Sequence, residues 1–316
     1  MMEFDFEQGP FTGMSGPSAV DEFPDILTYA DVSDNLWDIP ESEFLLGVDG
    51  AGDPVTVDLA SDSPHVIVSA GSGGGKSVIA ASLATQALVK GASVAVFDVK
   101  RISHRWAKSL PGVSYGVTVD EIANGLVSVA AEVHRRMKII EQFPGPVSEA
   151  PVGPRILVVA EELNTMMGAL ADFERTLPRR GVYYPTRAFA DIMNLGRAAK
   201  VHVLAFAQYP DHTVVPKRLM ESFGYRLLIR HKPESWRMLA WQLGYCPPAP
   251  QHPGRGFTVT GDKGIQTQYL YLPEELCADL VRRLRPSEER ATVRGAVREL
   301  KRVTGQWRAL REIEGR

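Results

Sequence analysis

The sequence predicts an α/β fold in which a mainly parallel sheet is flanked by helices, and two observations predict it. Short runs of β-branched residues alternate with helix-length segments, which is typical of βαβ units. Within these runs apolar residues follow one another without a break, and such continuous apolarity indicates strands that are buried on both faces. The 316 residues, of which 44% are hydrophobic and 23% charged, are ample for one large core and argue against wholesale disorder.

The elements follow in a regular order after an initial hairpin. Alternating apolar residues at 44–48 and 54–57, joined by the turn 49–53, predict that hairpin. Strands and helices then alternate. The predicted strands are 65–69, 93–98, 155–160, 201–207 and 225–230, the predicted helices are 76–90, 119–141 and 184–199, and a second hairpin is expected from 256–259 and 267–272.

The two ends of the chain differ from this body in charge. From Met1 to Gly75 the sequence has 15 acidic residues and no Lys or Arg, whereas the remainder carries 35 basic and 23 acidic residues. Residues 1–42 combine acidity with Gly-Pro turns, so we expect an acidic, partly disordered arm. Residues 273–316 are expected to form a helical extension, because apolar residues recur every three or four positions after Pro286. The polar face of this amphipathic C-terminal helix is basic, and the helix either packs on protein or contacts DNA.

Composition also bears on where the protein works. The chain has no apolar run long enough to span a membrane, and its first residues lack the basic and apolar regions of a signal peptide. We therefore expect a cytoplasmic protein. Two cysteines, Cys246 and Cys277, are too few for a disulfide framework, and neither lies in a metal-binding spacing.

One glycine-rich segment carries the strongest chemical signal. It follows a predicted strand and precedes a predicted helix, as a P-loop does. Glycines allow successive backbone N–H groups to curl around a phosphate at the helix N-terminus, where the helix dipole favours negative charge. Lys76 can reach the β- and γ-phosphates, and the Ser77 hydroxyl can bind Mg²⁺. The predicted site for ATP and Mg²⁺ consists of Gly71, Ser72, Gly73, Gly74, Gly75, Lys76, Ser77 and Val78.

Two adjacent carboxylates follow the predicted strand 155–160. A P-loop ATPase needs an acid that organises the metal and a group that orients the attacking water, usually at the end of a neighbouring strand. We assign Glu161 to Mg²⁺ and Glu162 to the water, and the second acid favours hydrolysis over phosphorylation of a small molecule. The alternative is that both acids stabilise the first turn of the next helix.

Several segments in order along the chain resemble the motor domain of the FtsK/SpoIIIE family of DNA translocases. They are Leu46-Gly47-Val48-Asp49 and Pro64-His65-Val66-Ile67-Val68 before the P-loop, Phe97-Asp98-Val99-Lys100-Arg101, Glu132-Val133-His134-Arg135-Arg136-Met137, Glu161-Glu162-Leu163, and Gly196-Arg197-Ala198-Ala199-Lys200-Val201-His202 with Gln208-Tyr209-Pro210. The resemblance implies that residues 43–272 form a RecA-like ATPase motor domain of the P-loop NTPase class. It is similar to the soluble members found on mobile elements, plasmids or phages.

The family resemblance implies further roles. Gln208 would be a polar sensor after the fourth strand, and Arg197 an arginine finger acting across a subunit boundary, unless it is a structural arginine. The expected assembly is a homo-oligomeric ring, a hexamer, that moves double-stranded DNA through its channel for DNA transfer, segregation or packaging. Channel loops bind DNA phosphates without reading sequence. The candidate DNA contacts are Arg175, Arg179, Arg180, Arg187, Lys217 and Arg218.

The sequence departs from the family pattern at three functional positions. Ala70 stands where the strict P-loop pattern has Gly, Glu161 replaces the family's Asp, and Tyr209 replaces an Arg. The longer Glu161 side chain moves its carboxylate by about one bond length, which weakens Mg²⁺ organisation if nothing compensates. Two alternatives follow. One is a conjugative coupling ATPase that docks a relaxase or secretion partner, either membrane-anchored or element-encoded, which recruits it to the membrane. The other is a degenerate P-loop protein with a structural role.

Overall fold

The computed structural model describes residues 23–34, 36–71, 73–178, 181–209, 211 and 215–285. The first 22 residues of the predicted arm and the amphipathic helix expected after Pro286 lie outside this part of the chain, as do Ser72, Arg179 and Arg180. The division into an acidic arm, a motor domain and a helical extension therefore stays a prediction.

The described strands form a single 11-stranded sheet. They are β1 (Leu27–Thr28), β2 (Glu43–Val48), β3 (Pro54–Asp58), β4 (Val66–Ala70), β5 (Ser93–Asp98), β6 (Val113–Gly116), β7 (Ile156–Glu161), β8 (Val201–Ala207), β9 (Tyr225–Ile229), β10 (Arg255–Thr260) and β11 (Lys263–Tyr271). The helices are α1 (Tyr29–Val32), α2 (Lys76–Val89), α3 (Val119–Gln142), α4 (Leu163–Glu174), α5 (Pro185–Leu195), α6 (Lys217–Met220), α7 (Pro233–Leu239) and α8 (Glu274–Leu284). The order β3-β2-β11-β10-β9-β4-β8-β7-β5-β6 runs across the sheet, and β1 lies beside β11.

The sheet has two halves. Strands β9, β4, β8, β7, β5 and β6 are parallel, whereas β3, β2, β11 and β10 are antiparallel, and the β10–β9 pair joins the halves. This arrangement confirms the predicted α/β fold with a mainly parallel sheet flanked by helices. The predicted strand 201–207 coincides with β8, but the sequence did not predict β1 or β6.

The parallel strands are continuously apolar because helices cover both of their faces. In β4, Ile67 packs in the cluster that contains α3, α4 and α5, whereas its neighbours Val66 and Val68 pack with α2 and α8. Every residue of β8 is buried. Burial of apolar surface stabilises such a core by roughly 25 cal/mol per Å².

Both flanks of the predicted motor domain pack on this body. In β1, Leu27 pairs with Leu270 of β11, and Leu27 and Leu36 lie in a buried cluster with Cys277 of α8. Helix α8 also packs on α2 through Val281. The packed body therefore extends beyond residues 43 and 272 in both directions. Within the described ranges, no helix is both long enough and apolar enough to cross a lipid bilayer.

A buried glutamine bonds α2 to the antiparallel half of the sheet. The Gln86 Oε1 atom accepts a hydrogen bond from the Leu45 backbone N at 2.8 Å, and Gln86 Nε2 donates one to the Leu45 backbone O at 2.9 Å. Together these bonds satisfy the polar groups of Leu45 as a neighbouring strand would. The helix that follows the P-loop is thereby connected directly to β2.

Candidate nucleotide-binding site

The glycine-rich segment forms a tight turn between β4 and α2. Gly73 and Gly75 have φ values of 71° and 93°, a left-handed conformation that glycine adopts at little cost. A Cβ atom at Gly74 would lie only 3.0 Å from the Gly71 backbone O. The sequence needs glycines here because the backbone folds back on itself at the N-terminus of α2, where anions bind. Ser72 lies outside the described residues.

The structure brings the P-loop lysine and the second acid together. Glu162 Oε1 lies 3.4 Å from Lys76 Nζ and 2.6 Å from Lys100 Nζ. Burial alone would raise the pKa of Glu162, but the hydrogen bond from Lys100 and the charges of both lysines hold this pKa below its usual value. Glu162 is therefore an ionised carboxylate beside the phosphate-binding loop, where the sequence predicted the group that activates water.

Glu162 owes its position to the turn between β7 and α4. It has a φ of 49° and a ψ of 60°, and α4 begins at the next residue. A non-glycine residue rarely adopts this left-handed conformation, and such residues cluster at functional sites.

Glu161 ends β7 and contacts a histidine that the sequence analysis did not select. His104 Nε2 lies 2.5 Å from Glu161 Oε1, and both side chains are buried. His104 is 57 positions away along the chain and shows no metal-binding spacing, so no sequence signal pointed to this contact. One oxygen of the predicted Mg²⁺ acid is thus engaged by His104.

Asp98 shapes the loop that carries both Lys100 and His104. Asp98 ends β5 and pairs in register with Glu161 of β7. Its buried carboxylate accepts hydrogen bonds from the backbone N of Lys100 at 3.0 Å, the backbone N of Ser103 at 2.7 Å and the Tyr115 hydroxyl at 3.0 Å. The loop after β5 is therefore folded towards the acids at the end of β7.

The side chains at this edge fit Mg²⁺ in their chemistry. Mg²⁺ prefers oxygen ligands, and in nucleotide sites it takes one or two from the protein and the rest from phosphates and water. Ser77 offers a hydroxyl and Glu161 a carboxylate. In the part of the chain that the structure describes, no group of three or more His, Cys, Asp or Glu side chains could hold a metal ion by itself. The donor set suits a metal bound together with a nucleotide.

The predicted sensor and the predicted finger lie at opposite edges of the sheet. Gln208 directly follows β8, and its backbone O accepts a hydrogen bond from the Ser69 hydroxyl of β4 at 3.1 Å. Arg197 lies before β8, where its Nη2 atom is 2.6 Å from Asp62 Oδ1. Because a seven-residue strand spans roughly 23 Å, Arg197 is remote from the P-loop of its own chain.

The candidate DNA contacts are dispersed. Arg175 is paired with Asp172 at 2.7 Å, and both side chains are exposed, whereas the exposed Arg187 is paired at 2.9 Å with Asp191, which is buried. Lys217 and Arg218 lie in α6. The cavity of about 490 Å³ beside α6 is lined by Lys217, Met220, Glu221, Arg226, Arg237, Met238, Leu239, Trp241 and Gln242. Three of its four charged side chains are basic.

Comparisons with curated proteins identify sequence relatives. No family model matches the chain. A protein from Staphylococcus aureus named DNA translocase FtsK is 26% identical over 196 residues, which cover 55% of this chain and 23% of the relative. The FtsK DNA translocase of Oceanobacillus iheyensis is 25% identical over 215 residues, covering 60% of this chain and 26% of the relative. The chain spans about a quarter of the length of these relatives.

Solved structures show the same fold at lower sequence identity. The pCW3 conjugation coupling protein TcpA, in a monomer form with ATPγS, has a TM-score of 0.67 and 19% identity, with 84% of this chain and 76% of that chain covered. The cytoplasmic domain of the Thermomonospora curvata type VII secretion ATPase EccC has a TM-score of 0.58 and 18% identity, with 85% and 35% covered. These likenesses establish a RecA-like P-loop ATPase fold.

Proposed function

We propose that the chain is a P-loop ATPase motor of the FtsK/SpoIIIE type, which hydrolyses ATP to move double-stranded DNA as a homo-oligomeric ring. The observation that carries the proposal is the meeting of Lys76 with the ionised Glu162 carboxylate at the P-loop. The sequence similarity to FtsK DNA translocases supports DNA as the polymer that is moved.

The residues at the site divide the chemistry between them. The backbone N–H groups of the glycine turn and the Lys76 ammonium bind the phosphates. Ser77 and Glu161 would hold Mg²⁺, which neutralises phosphate charge and polarises the transferred group. Glu162 accepts a proton from the attacking water, which an ionised carboxylate can do. Arriving phosphates compete with Glu162 for Lys76, and Lys100 then remains as the partner that keeps Glu162 in place.

A ring explains why Arg197 is distant from its own P-loop. Its guanidinium is about half exposed and is paired with the exposed Asp62. The pair lies at the edge of the sheet where the parallel strands begin, which we call the amino edge. An exposed ion pair of this kind contributes little to stability. Arg197 can therefore leave Asp62 and bind the phosphate of a nucleotide in a neighbouring subunit at little cost in free energy. We therefore retain Arg197 as the finger that acts in trans.

Mixed oligomers test this role. Arg197→Ala and Lys76→Ala subunits are each inactive on this proposal, but a mixture contains interfaces that combine an intact P-loop with an intact finger. Recovery of ATP turnover on mixing is the expected result. A mixture as inactive as its two components would count against a finger in trans.

DNA-stimulated ATP hydrolysis tests the function as a whole. Steady-state turnover by the full chain is measured with and without long linear duplex DNA, at low and at moderate salt. We expect strong stimulation that weakens with salt, because the channel binds phosphates and releases counterions. Lys76→Ala should abolish turnover, whereas Lys138→Ala, which removes an exposed lysine from α3, should not. Absence of turnover under every condition, with ATPγS still bound, would overturn the motor in favour of a degenerate P-loop protein.

A further inference from the structure

Arg230 lies against the P-loop from the side of β9. Strand β9 pairs with β4 as far as Ile229 and Ala70, and the Gly71 backbone N donates a hydrogen bond to the Ile229 backbone O at 3.4 Å. Arg230 is the next residue. Its Nη1 atom lies 3.8 Å from the position that a Cβ atom on Gly73 would occupy. The guanidinium thus lies beside the middle of the phosphate-binding turn.

The guanidinium of Arg230 has no counter-charge in the described residues. Neither an ion pair nor a side-chain hydrogen bond there includes it, although the residue is only partly exposed. Two other cations beside the phosphate-binding turn, Lys76 and Lys100, share the carboxylate of Glu162. Arg230 therefore differs from both lysines, because no carboxylate of the described residues pairs with it.

The backbone of Arg230 adds a second, independent observation. Its φ is 46°, a left-handed conformation that costs free energy for any residue with a Cβ atom. Glycine would remove that cost, and the chain has arginine instead. Strained non-glycine residues of this kind persist where the side chain serves a site.

We propose that Arg230 is a third cation of the nucleotide site and binds the β- or γ-phosphate of the nucleotide held by its own P-loop. A guanidinium is a planar fork of N–H donors that matches phosphate oxygens, and the phosphate supplies the negative charge that the protein leaves out. Strand β4, which precedes the P-loop, lies between β9 and β8. Arg230 would therefore lie on one side of the bound phosphates, and Gln208 would lie on the other side. This role rests on the proposed ATPase function and assigns to the site a residue that follows β9.

The chain offers a matched pair of substitutions. Arg230 and Lys200 are both cations in the left-handed conformation, with φ values of 46° and 54°, but Lys200 precedes β8 at the opposite edge. Arg230→Gly and Lys200→Gly each remove a cation and relieve the same backbone strain, so neither is expected to lower the unfolding midpoint. Arg230→Lys retains the charge without the fork.

Calorimetric titration of the full chain with ATPγS and with ADP, in the presence of Mg²⁺, measures the effect. We expect Arg230→Gly to weaken ATPγS binding by about ten- to a hundredfold, the value of one charge-assisted hydrogen bond. Arg230→Lys should recover part of the loss, and Lys200→Gly should bind as the wild type does. Loss of affinity for both nucleotides assigns the contact to the β-phosphate, and loss for ATPγS only assigns it to the γ-phosphate.

Three results would overturn the inference. Unchanged affinity in Arg230→Gly, while Lys76→Ala loses binding, would refute the contact and leave the proposed function standing. Equal losses in Arg230→Gly and Lys200→Gly would show a general effect of charge. Failure of the wild-type chain to bind ATPγS at all would refute the ATPase proposal together with this contact.

Discussion

The charged residues at the two ends of the parallel strands differ in their backbone conformations and in their bonding partners. At the carboxyl edge, where β5, β7 and β9 end, four non-glycine residues adopt left-handed backbone conformations, namely Arg101, His104, Glu162 and Arg230. At the amino edge Lys200 is the one such residue within the described ranges. Backbone strain in the parallel half is therefore concentrated at the edge that carries the P-loop.

The buried arginines of the amino edge instead have several protein partners each. Arg136 donates to the backbone O atoms of Pro154 at 2.8 Å and Ala199 at 2.9 Å, and its Nε atom donates to Glu132 at 2.7 Å. Arg155 donates to His202 Nε2 at 2.9 Å. The buried arginines of the amino edge therefore stabilise the fold through protein partners, whereas Arg230 at the carboxyl edge has no charged partner among the described residues.

The largest expected effect comes from the carboxyl edge. Glu162→Gln removes the carboxylate that we propose as the proton acceptor, so we expect the ATP turnover number to fall by about 10²- to 10³-fold. Binding of ATPγS should be retained or tightened, because Lys76 and Lys100 lose the carboxylate that competes for them. The control is Glu149→Gln, which changes an exposed acid in the segment between α3 and β7. A large fall in the unfolding free energy of Glu162→Gln would instead show that Glu162 mainly stabilises the fold, as the buried charges of the amino edge do.

At the amino edge the expected effect is on stability. Arg136→Ala leaves two buried carbonyls without donors, so the unfolding free energy should fall by about 3 kcal/mol. Arg135→Ala is a close control, because Arg135 pairs with the same Glu132 but is exposed, and its loss should cost less than about 1 kcal/mol. Urea denaturation measures both. Equal losses of unfolding free energy in the two variants would mean that burial does not determine how much these arginines stabilise the fold.

The amino edge should also make stability depend on pH. Burial lowers the pKa of His65 to about 4, although its hydrogen bond to the Met193 carbonyl opposes the shift. The unfolded chain, with a histidine pKa near 6.5, then binds more protons than the folded chain, so stability falls as pH falls from 6.5 towards 4. From pH 7 to 5 the loss from His65 is about 2 kcal/mol.

Urea denaturation at both pH values of His65→Gln beside the wild type tests this sign. Glutamine can accept from the Val203 backbone N and donate to the Met193 backbone O, as His65 does, without titrating. Burial also lowers the pKa of His202, so part of the pH dependence should remain in the variant. A variant that loses as much stability as the wild type would show that His65 is not protonated on unfolding.

The smallest expected effect sharpens the account of Glu161. We expect His104→Leu and Glu161→Asp each to reduce turnover roughly tenfold, because either change displaces the acid relative to the metal. The double variant should lose less than the product of the two, since the shorter acid does not need His104. The Mg²⁺ concentration for half-maximal turnover should rise in each single variant. Strictly multiplicative losses would mean that His104 and Glu161 act independently.

The sequence predicted those features that depend on local pattern. Continuous apolar runs predicted the buried parallel strands, since a strand covered on both faces needs apolar residues at every position. The glycines predicted the turn before Lys76, and the position of Glu161 and Glu162 after an apolar run predicted carboxylates at the end of another strand of the sheet. Each of these signals lies within a few consecutive residues.

Contacts between distant segments could not be predicted in this way. His104 reaches Glu161, and Arg230 reaches Gly73, only because the order of strands in the sheet brings their loops to one edge. The left-handed backbone of Arg230 is invisible in sequence, because glycine is the residue that normally marks that conformation. Strand β6 is short and half polar, so its pattern resembles a loop.

The paired hydrogen bonds between Gln86 and Leu45 make one backbone amide a reporter of the contact between α2 and β2. The Leu45 N–H is bonded to a side chain of α2 and not to a neighbouring strand, so its hydrogen exchanges with solvent when α2 and β2 separate. Because α2 begins at the P-loop, hydrogen–deuterium exchange at residue 45, measured with and without ATPγS, tests whether a nucleotide bound there changes the contact of this helix with the antiparallel half of the sheet.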